Sequence, residues 1–222
     1  MVSKKLFIFL SIVLFLSFVF FSYLVAKEAF TQFDFDTTVK FQDHFSRKWD
    51  LPFSVLSVVG SVEVTGIIWL CLIIFTLIKR YWMAFIALSL FWVGMMVEVF
   101  GKVFVYHPGP PFLFYRGVIK FEFPSSYAHT AYSYPSGHLT RTSFLVAFIL
   151  VFIYLKIPKK FGFLPVLGLV LFLVLMMISR IYLGEHWFSD VIGGTLLGSS
   201  FGIFSAAVIP LKNKLKINSS NS

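Results

Sequence analysis

The chain of 222 residues is strongly apolar, with 58% hydrophobic residues, 13% charged residues and a mean hydropathy of +0.87. Soluble domains are typically about 45–50% apolar and about 25% charged, so a soluble globular protein is excluded and a one-domain integral membrane protein is predicted. The net charge of +9 does not indicate nucleic-acid binding, because the charged residues lie in short loops between apolar runs. The single cysteine, Cys71, excludes an intrachain disulfide.

Six apolar runs are long enough to cross a bilayer as helices, which takes about 20 residues each. The predicted spans are Leu6–Ala26, Phe53–Ile78, Trp82–Val105, Ser136–Leu155, Phe163–Tyr182 and Phe188–Pro210. The first run could instead be a cleaved signal peptide, but it exceeds the usual apolar length of about 7–15 residues, so a retained helix is favoured. Strands are not indicated, because the runs lack alternation. The predicted fold is therefore all-α, a six-span transmembrane helical bundle.

The segment between the first two spans is polar and carries charges of both signs interleaved with phenylalanines. This mixture predicts a short amphipathic helix at the membrane interface. The chain is accordingly divided into a first transmembrane helix (1–26), an extracytoplasmic amphipathic segment (27–52), a five-span core (53–210) and a cytoplasmic tail (211–222).

The basic residues predict which side of the membrane each loop faces. The side that carries both termini holds ten of the 19 lysines and arginines: Lys4, Lys5, Lys79, Arg80, Lys156, Lys159, Lys160, Lys212, Lys214 and Lys216. The positive-inside rule then places both termini in the cytoplasm and the chain in the plasma membrane. Ionisable residues of several spans fall together near the outer face: Glu63, Glu98, Lys102, His138, Arg141, Arg180, His186 and Asp190. Such groups at membrane depth usually mark a site, which is therefore expected to face outward.

The stretch Ser179–Asp190 places an arginine, a histidine and a carboxylate at the end of an apolar run. His186 and Asp190 are four residues apart and share a face if the segment is helical. A carboxylate bonded to one ring nitrogen orients a histidine and makes the other nitrogen more basic, and Arg180 adds a fork-shaped anion donor. This combination favours attack on a phosphate. A polar cluster at a membrane interface fits this stretch alone equally well.

The residues Pro135–His138 stand where the fourth span begins. The free N–H groups of a first helical turn, with the helix dipole, form an anion site. Gly137 allows close approach, Ser136 can cap the helix or donate to a phosphate oxygen, and His138 can give a proton to a leaving oxygen. An ordinary helix start with an incidental histidine is the simpler alternative for so short a motif. Lys102, at the end of the third span, adds a further cation at this level.

In order and spacing, these elements resemble the three-part signature of the type 2 phosphatidic acid phosphatase superfamily. That group includes membrane lipid phosphate phosphatases and soluble vanadium haloperoxidases. The second motif, Pro-Ser-Gly-His, matches at Pro135–His138, and the third, Ser-Arg-x5-His-x3-Asp, matches at Ser179, Arg180, His186 and Asp190. The resemblance covers about residues 53–210, and the six-span layout agrees with it.

The first motif departs from the family pattern Lys-x6-Arg-Pro. Lys102 and Pro110 are in place, but Gly109 stands at the arginine position, and that arginine normally holds a phosphate oxygen. The candidates to replace it are Arg141, Arg116 and His107. Arg141 is favoured because it lies three residues after His138 and shares its helical face, although snorkelling to the interface would also explain it.

The resemblance implies a covalent mechanism without a metal. His186 attacks phosphorus to form a phosphohistidine, Asp190 orients it, and His138 protonates the departing oxygen and later activates water. The implied phosphate-binding groups are Lys102, Ser136, Gly137 and Arg180, with Arg141 as the proposed replacement. No cofactor is implied, and a metal site is not expected because the basic surroundings oppose a cation.

The remaining polar residues receive simpler interpretations. Glu98 lies four residues before Lys102 and is expected to pair with it, Glu63 is interpreted as structural, and Glu185 as facing water. His44, His107 and His129 are interpreted as loop or interface residues. Several loop aromatics could line a substrate entrance or form an interfacial belt: Phe112, Phe114, Tyr115, Tyr127, Tyr132 and Tyr134.

The predicted function is hydrolysis of a lipid phosphate or diphosphate, such as polyprenyl diphosphate, phosphatidic acid or phosphatidylglycerol phosphate. The expected partners are this lipid and the bilayer, with no nucleic acid, and the sequence does not indicate an oligomeric state. Two alternatives remain. One is a phosphotransferase that passes the same phosphoryl group to an acceptor, and the other is a non-catalytic lipid-phosphate binder, which Gly109 would allow.

Overall fold

A computed structural model describes residues 4–119, 130–156 and 162–210. Within these ranges the chain forms eight α-helices and no strand. They are α1 (Lys4–Ala26), α2 (Thr31–His44), α3 (Asp50–Val59), α4 (Val62–Ile78), α5 (Trp82–Phe104), α6 (Gly137–Lys156), α7 (Phe163–Tyr182) and α8 (Phe188–Val208). Single turns of 3-10 helix lie at Arg47–Trp49 and Phe112–Phe114. The loop residues Tyr127 and His129, the lysines at 159 and 160 and the predicted tail (211–222) lie outside the described residues.

The all-α transmembrane prediction is confirmed. Within the described ranges, six helical segments are long and apolar enough to cross a bilayer, and they fall on the six predicted runs. The polar segment after the first span forms α2, which buries Asp34 and Thr38 against the bundle. The chain is therefore an integral membrane protein built as a helical bundle.

The second span, predicted as one run from Phe53 to Ile78, consists of two helices. α3 ends at Val59, and the Ser61 hydroxyl caps α4 by accepting the Val64 N–H over 3.3 Å. Between the two helices, Gly60 packs closely against two side chains. A Cβ at this position would lie 3.0 Å from the His138 ring and nearer still to a methionine side chain. The break between α3 and α4 thus makes room for a histidine of the predicted site.

α6 and α8 form the centre of the bundle. The most apolar stretch of each of these two helices is 67% and 61% buried, respectively, whereas the corresponding stretches of the other four spans are 17–28% buried. They touch along Gly194, Gly198 and Gly202, which are four residues apart and share one face of α8. A Cβ at Gly198 would lie 2.0 Å from the Thr140 carbonyl oxygen, so only glycine allows this approach. The contact places the first turns of α6 and α8 side by side.

Candidate active site

The His186–Asp190 pair lies where the connection from α7 enters α8. His186 Nδ1 lies 3.1 Å from Asp190 Oδ2, and the Trp187 N–H donates to the same oxygen over 3.0 Å. The Asp190 side chain is fully buried, whereas that of His186 keeps 14% exposure. Because the carboxylate accepts at Nδ1, that nitrogen carries the proton and Nε2 keeps its lone pair. His186 therefore has an available nucleophilic nitrogen.

The predicted helix-start motif bonds the beginning of α6 directly to the beginning of α8. The Ser136 N–H donates to the Asp190 carbonyl over 3.0 Å. The Ser136 hydroxyl is buried and has no hydrogen-bond partner among the described residues, as expected of a donor kept for a ligand. Gly137 serves a purpose that the sequence did not suggest, since a Cβ there would collide with the Glu98 carboxylate.

His138 lies at the meeting point of the basic groups. Its ring is within electrostatic range of Arg180, Arg141, His186 and Lys102. These groups come from α5, α6, α7 and the turn before α8, so the fold brings the predicted site residues together at one level of the bundle. Their individual roles stay predictions.

Glu98 joins two of these cations. Its Oε1 lies 3.0 Å from Lys102 Nζ, and its Oε2 lies 3.4 Å from Arg141 Nη1. The predicted Glu98–Lys102 pair is confirmed. The charge of Glu63 also acts on the Arg141 guanidinium, so Glu63 belongs to the same cluster. Arg141 Nε is buried without a hydrogen-bond partner in the part of the chain that the structure describes.

Arg180 is fully buried, and its Nη1 pairs with the Glu185 carboxylate. The prediction that Glu185 only faces water is wrong, because a guanidinium enclosed by apolar helices requires a counter-charge. Arg180 Nη2 has no hydrogen-bond partner in residues 4–119, 130–156 and 162–210. Tyr115 adjoins this pair: burial raises the pKa of its phenol, Glu185 raises it further and Arg180 opposes the rise. One edge of Arg180 is thus available to an anion.

The described residues of the loop that carries the first motif offer no replacement for the missing arginine. Gly109 borders a cavity of about 360 Å³ whose charged lining residues include Glu28 and Asp34. Two carboxylates would repel a phosphate, so this cavity does not suit one. Arg116 makes contacts away from His138. Its Nη1 donates to the Gln42 carbonyl over 3.0 Å, and its guanidinium lies over the Tyr182 ring, 5.2 Å from the ring centre. Arg141, in contrast, lies beside His138.

A polar network formed by Asp34, His107 and Ser189 adjoins Asp190 and was missed by the sequence interpretation. His107, predicted as a loop or interface residue, is 6% exposed, and its Nε2 lies 3.5 Å from Asp190 Oδ1. Asp34 comes from α2 and bonds Ser189, 155 residues along the chain, so no local pattern links the two. The available signal was the position of His107 inside the first motif. Burial raises the pKa of the Asp34 carboxyl, although hydrogen bonds from Ser189 oppose the rise.

The side chains that the fold gathers at this site favour the binding and reaction of an anion. Among the described residues, no three His, Cys, Asp or Glu side chains are grouped so that they could hold a metal ion. A carboxylate-oriented histidine, a second histidine and three cations can bind an anion, attack it and transfer a proton.

Comparison with known proteins places the chain in a family. The family model described as PAP2 superfamily matches residues 82–214, more than half of the chain. An undecaprenyl-diphosphatase of Sulfolobus acidocaldarius is 40% identical over 79 residues, which are 36% of this chain and 34% of that protein, so the chain spans about a third of this curated relative. The crystal structure of a transmembrane PAP2-type phosphatidylglycerolphosphate phosphatase from Bacillus subtilis superposes with a TM-score of 0.70 at 19% identity, covering 88% of this chain and 93% of that one. The second and third motifs, the shared fold and the family match agree, and the chain belongs to the PAP2 superfamily.

Proposed function

We propose that the protein is an integral membrane phosphatase that hydrolyses a lipid phosphate or diphosphate through a phosphohistidine, without a metal ion. The observation that carries this proposal is the pairing of His186 with the buried Asp190 beside His138, within a cluster of cations. A carboxylate-oriented histidine supplies a nucleophile, and a second histidine supplies a proton.

In the first step His186 Nε2 attacks phosphorus, and the new P–N bond forms while the bond from phosphorus to the leaving oxygen breaks. His138 donates its proton to that oxygen, so a lipid alcohol or a lipid monophosphate departs. In the second step water gives a proton to His138 and attacks phosphorus, the P–N electrons return to Nε2, and inorganic phosphate leaves. Asp190 stabilises the positive charge that the imidazole gains during attack.

The phosphate oxygens are assigned to the donors that the protein leaves available. Arg180 Nη2 and the Ser136 hydroxyl are buried and have no hydrogen-bond partner among the residues that the structure describes. Lys102 and the Gly137 N–H complete the cradle, and Arg141 supplies the charge that the first motif lacks. These donors act on the charge that develops on the phosphoryl oxygens in the transition state.

A lipid substrate is supported by the membrane fold and by the relatives. Both relatives are named for phosphorylated lipids, one for undecaprenyl diphosphate and one for phosphatidylglycerolphosphate. The candidate substrates are therefore a polyprenyl diphosphate, phosphatidylglycerol phosphate and phosphatidic acid.

Phosphate release from these three lipids tests the function. Purified protein in detergent with EDTA is expected to release phosphate from at least one of them, and His186→Ala is expected to abolish release. His44→Ala is the matched control, since His44 is exposed on α2 and its Nδ1 lies 2.9 Å from the carbonyl oxygen of Lys40. Binding without release by the parent protein would instead support the non-catalytic alternative, and loss of release with EDTA would overturn metal independence.

The proposed topology has both termini in the cytoplasm and α2 with the site outside, supported by the basic residues on the side that carries both termini. An impermeant maleimide on intact cells tests it, with Cys71→Ser as the background. Asp43→Cys is expected to react and Lys79→Cys to react only after permeabilisation. The reverse pattern would invert the topology.

A further inference from the structure

One carboxylate oxygen of Asp190 contacts His186, and the other faces His107. Its Oδ2 accepts from His186 Nδ1 and from the Trp187 N–H. Its Oδ1 is buried and accepts no hydrogen bond among the described residues. The His107 ring approaches that oxygen, with Nε2 3.5 Å away. A buried carboxylate oxygen is costly to leave without a donor, so this approach matters for the position of Asp190.

His107 is itself fixed by Ser189 and Asp34. The Ser189 hydroxyl donates to Asp34 Oδ2 over 2.7 Å, so its oxygen can only accept from His107 Nε2, 3.0 Å away. His107 Nε2 must therefore carry a hydrogen, whatever the charge of the ring. Asp34 is 1% exposed and also accepts the Ser189 N–H over 2.8 Å, which ties α2 to the first turn of α8.

The backbone of His107 is also held by hydrogen bonds. Both the N–H and the hydroxyl of Ser133 donate to the His107 carbonyl, each over 3.0 Å. The ring meets the buried ring of Tyr134 edge-on, with the centroids 6.3 Å apart. His107 therefore presents one N–H, in one direction, between the Ser189 hydroxyl and Asp190.

We infer that His107 is a positioning residue for the nucleophile: its Nε2–H, which the Ser189 hydroxyl accepts, also attracts Asp190 Oδ1 from 3.5 Å, so that Oδ2 stays directed at His186 Nδ1 and His186 reacts through Nε2. Asp34 and Ser189 hold His107 in turn. A network that runs from α2 through the loop after α5 thus orients a pair at the start of α8. The inference rests on the proposed function wherever turnover is measured.

Measurements of kcat and KM distinguish a positioning role of His107 from simple packing. His107→Leu keeps the volume and removes the donor, and it is expected to lower kcat about 10- to 100-fold with little change in KM, a loss typical of groups that orient a functional histidine. His107→Gln can place an amide N–H where Nε2 stood and is expected to recover kcat to within about fivefold. His44→Leu, at the exposed histidine of α2, is expected to leave kcat unchanged. A higher KM with kcat unchanged in His107→Leu, or a kcat that does not recover in His107→Gln, would overturn the inference.

A double-mutant cycle tests whether His107 acts through Asp190. In an Asp190→Asn background, His107→Leu is expected to cause no further loss of kcat, because the carboxylate that it positions is absent. Equal losses in both backgrounds would show that His107 acts independently of Asp190 and would reject its proposed role.

The reactivity of His186 gives a measure that does not depend on any substrate. Diethyl pyrocarbonate acylates neutral imidazole nitrogens, and peptide mass spectrometry reports the rate at His186. That rate is expected to fall several-fold in His107→Leu, to recover in His107→Gln and to stay constant in His44→Leu. If no lipid is hydrolysed but this dependence holds, the proposed function fails and the inference stands; an unchanged rate in a monodisperse His107→Leu protein rejects the inference. Should His107→Leu not fold, His107→Asn, whose amide is too short to reach Asp190, takes its place with the same expectations.

Discussion

Two buried arginines flank His138, and each is paired with a glutamate in a different way. Arg141 lies beside Glu98, which is 4% exposed and also binds Lys102. Arg180 pairs with Glu185, which belongs to the turn before α8 and keeps 24% of its side chain exposed. The two pairs have the same charges but different surroundings.

The difference separates a fixed counter-ion from an exchangeable one. Glu98 balances two cations inside the bundle, and removing it would leave charge uncompensated in a medium that solvates charge poorly. Glu185 can turn to water when an anionic substrate reaches Arg180. In this interpretation, Glu185 pairs with Nη1, and its negative charge lies next to Nη2, where a phosphate oxygen binds during the reaction.

The largest effect is expected at Arg180. Arg180→Met should lower kcat/KM about 100- to 1,000-fold, the cost of removing one preorganised donor from a transition state. Phosphate release measures it, and Arg116→Met, at an arginine bonded to the Gln42 carbonyl, is the matched control. A loss smaller than tenfold would show that Arg180 is as structural as Arg116.

Glu98→Gln is expected to lower the free energy of unfolding by about 3 kcal/mol, because a buried ion pair loses one partner. The value lies at the low end of the usual range, since Glu63 also acts on Arg141. Denaturant unfolding in detergent measures the change, with Glu185→Gln as the matched substitution, which is expected to cost less because the Glu185 side chain keeps 24% exposure and water can take over part of its role. Similar losses in the two variants would remove the distinction between the two pairs.

Arg141→Lys keeps the charge and removes the planar fork. We expect kcat/KM to fall about tenfold, which corresponds to one charge-assisted hydrogen bond of about 1.5 kcal/mol. The kinetics of phosphate release measure this loss. Unchanged kinetics would mean that Arg141 contributes only its charge and does not contact the phosphate.

The smallest effect is expected at Glu185. Glu185→Gln should lower KM about two- to fivefold and leave kcat unchanged, because the substrate no longer meets a partly exposed carboxylate beside Arg180, a repulsion of at most about 1 kcal/mol. Initial rates across substrate concentration test this. A higher KM would show that Glu185 holds Arg180 in place for the substrate and does not compete with it.

The spans and the two histidine motifs were predictable because both are local properties of the sequence. Apolar length defines a span. The closeness of His186 and Asp190 was predicted from a shared helical face, but His186 lies before α8 and Asp190 is the third residue of α8, so the contact is made at the start of the helix. The break at Gly60 was not predictable, because it depends on a ring from α6, and Asp34 could not be assigned because its partner lies in α8. The glycines at 194, 198 and 202 were visible in the sequence, but the helix that they face was not.

The glycine contact between α6 and α8 has a consequence for the membrane around the protein. The spans that form the outside of the bundle can tilt when the bilayer thickens or thins. Gly198 meets the Thr140 carbonyl backbone to backbone, so the separation of the two central helices does not depend on how the outer spans adjust. The distance between His138 and His186 is therefore expected to stay the same in thin and thick membranes, while access of the lipid to the site changes.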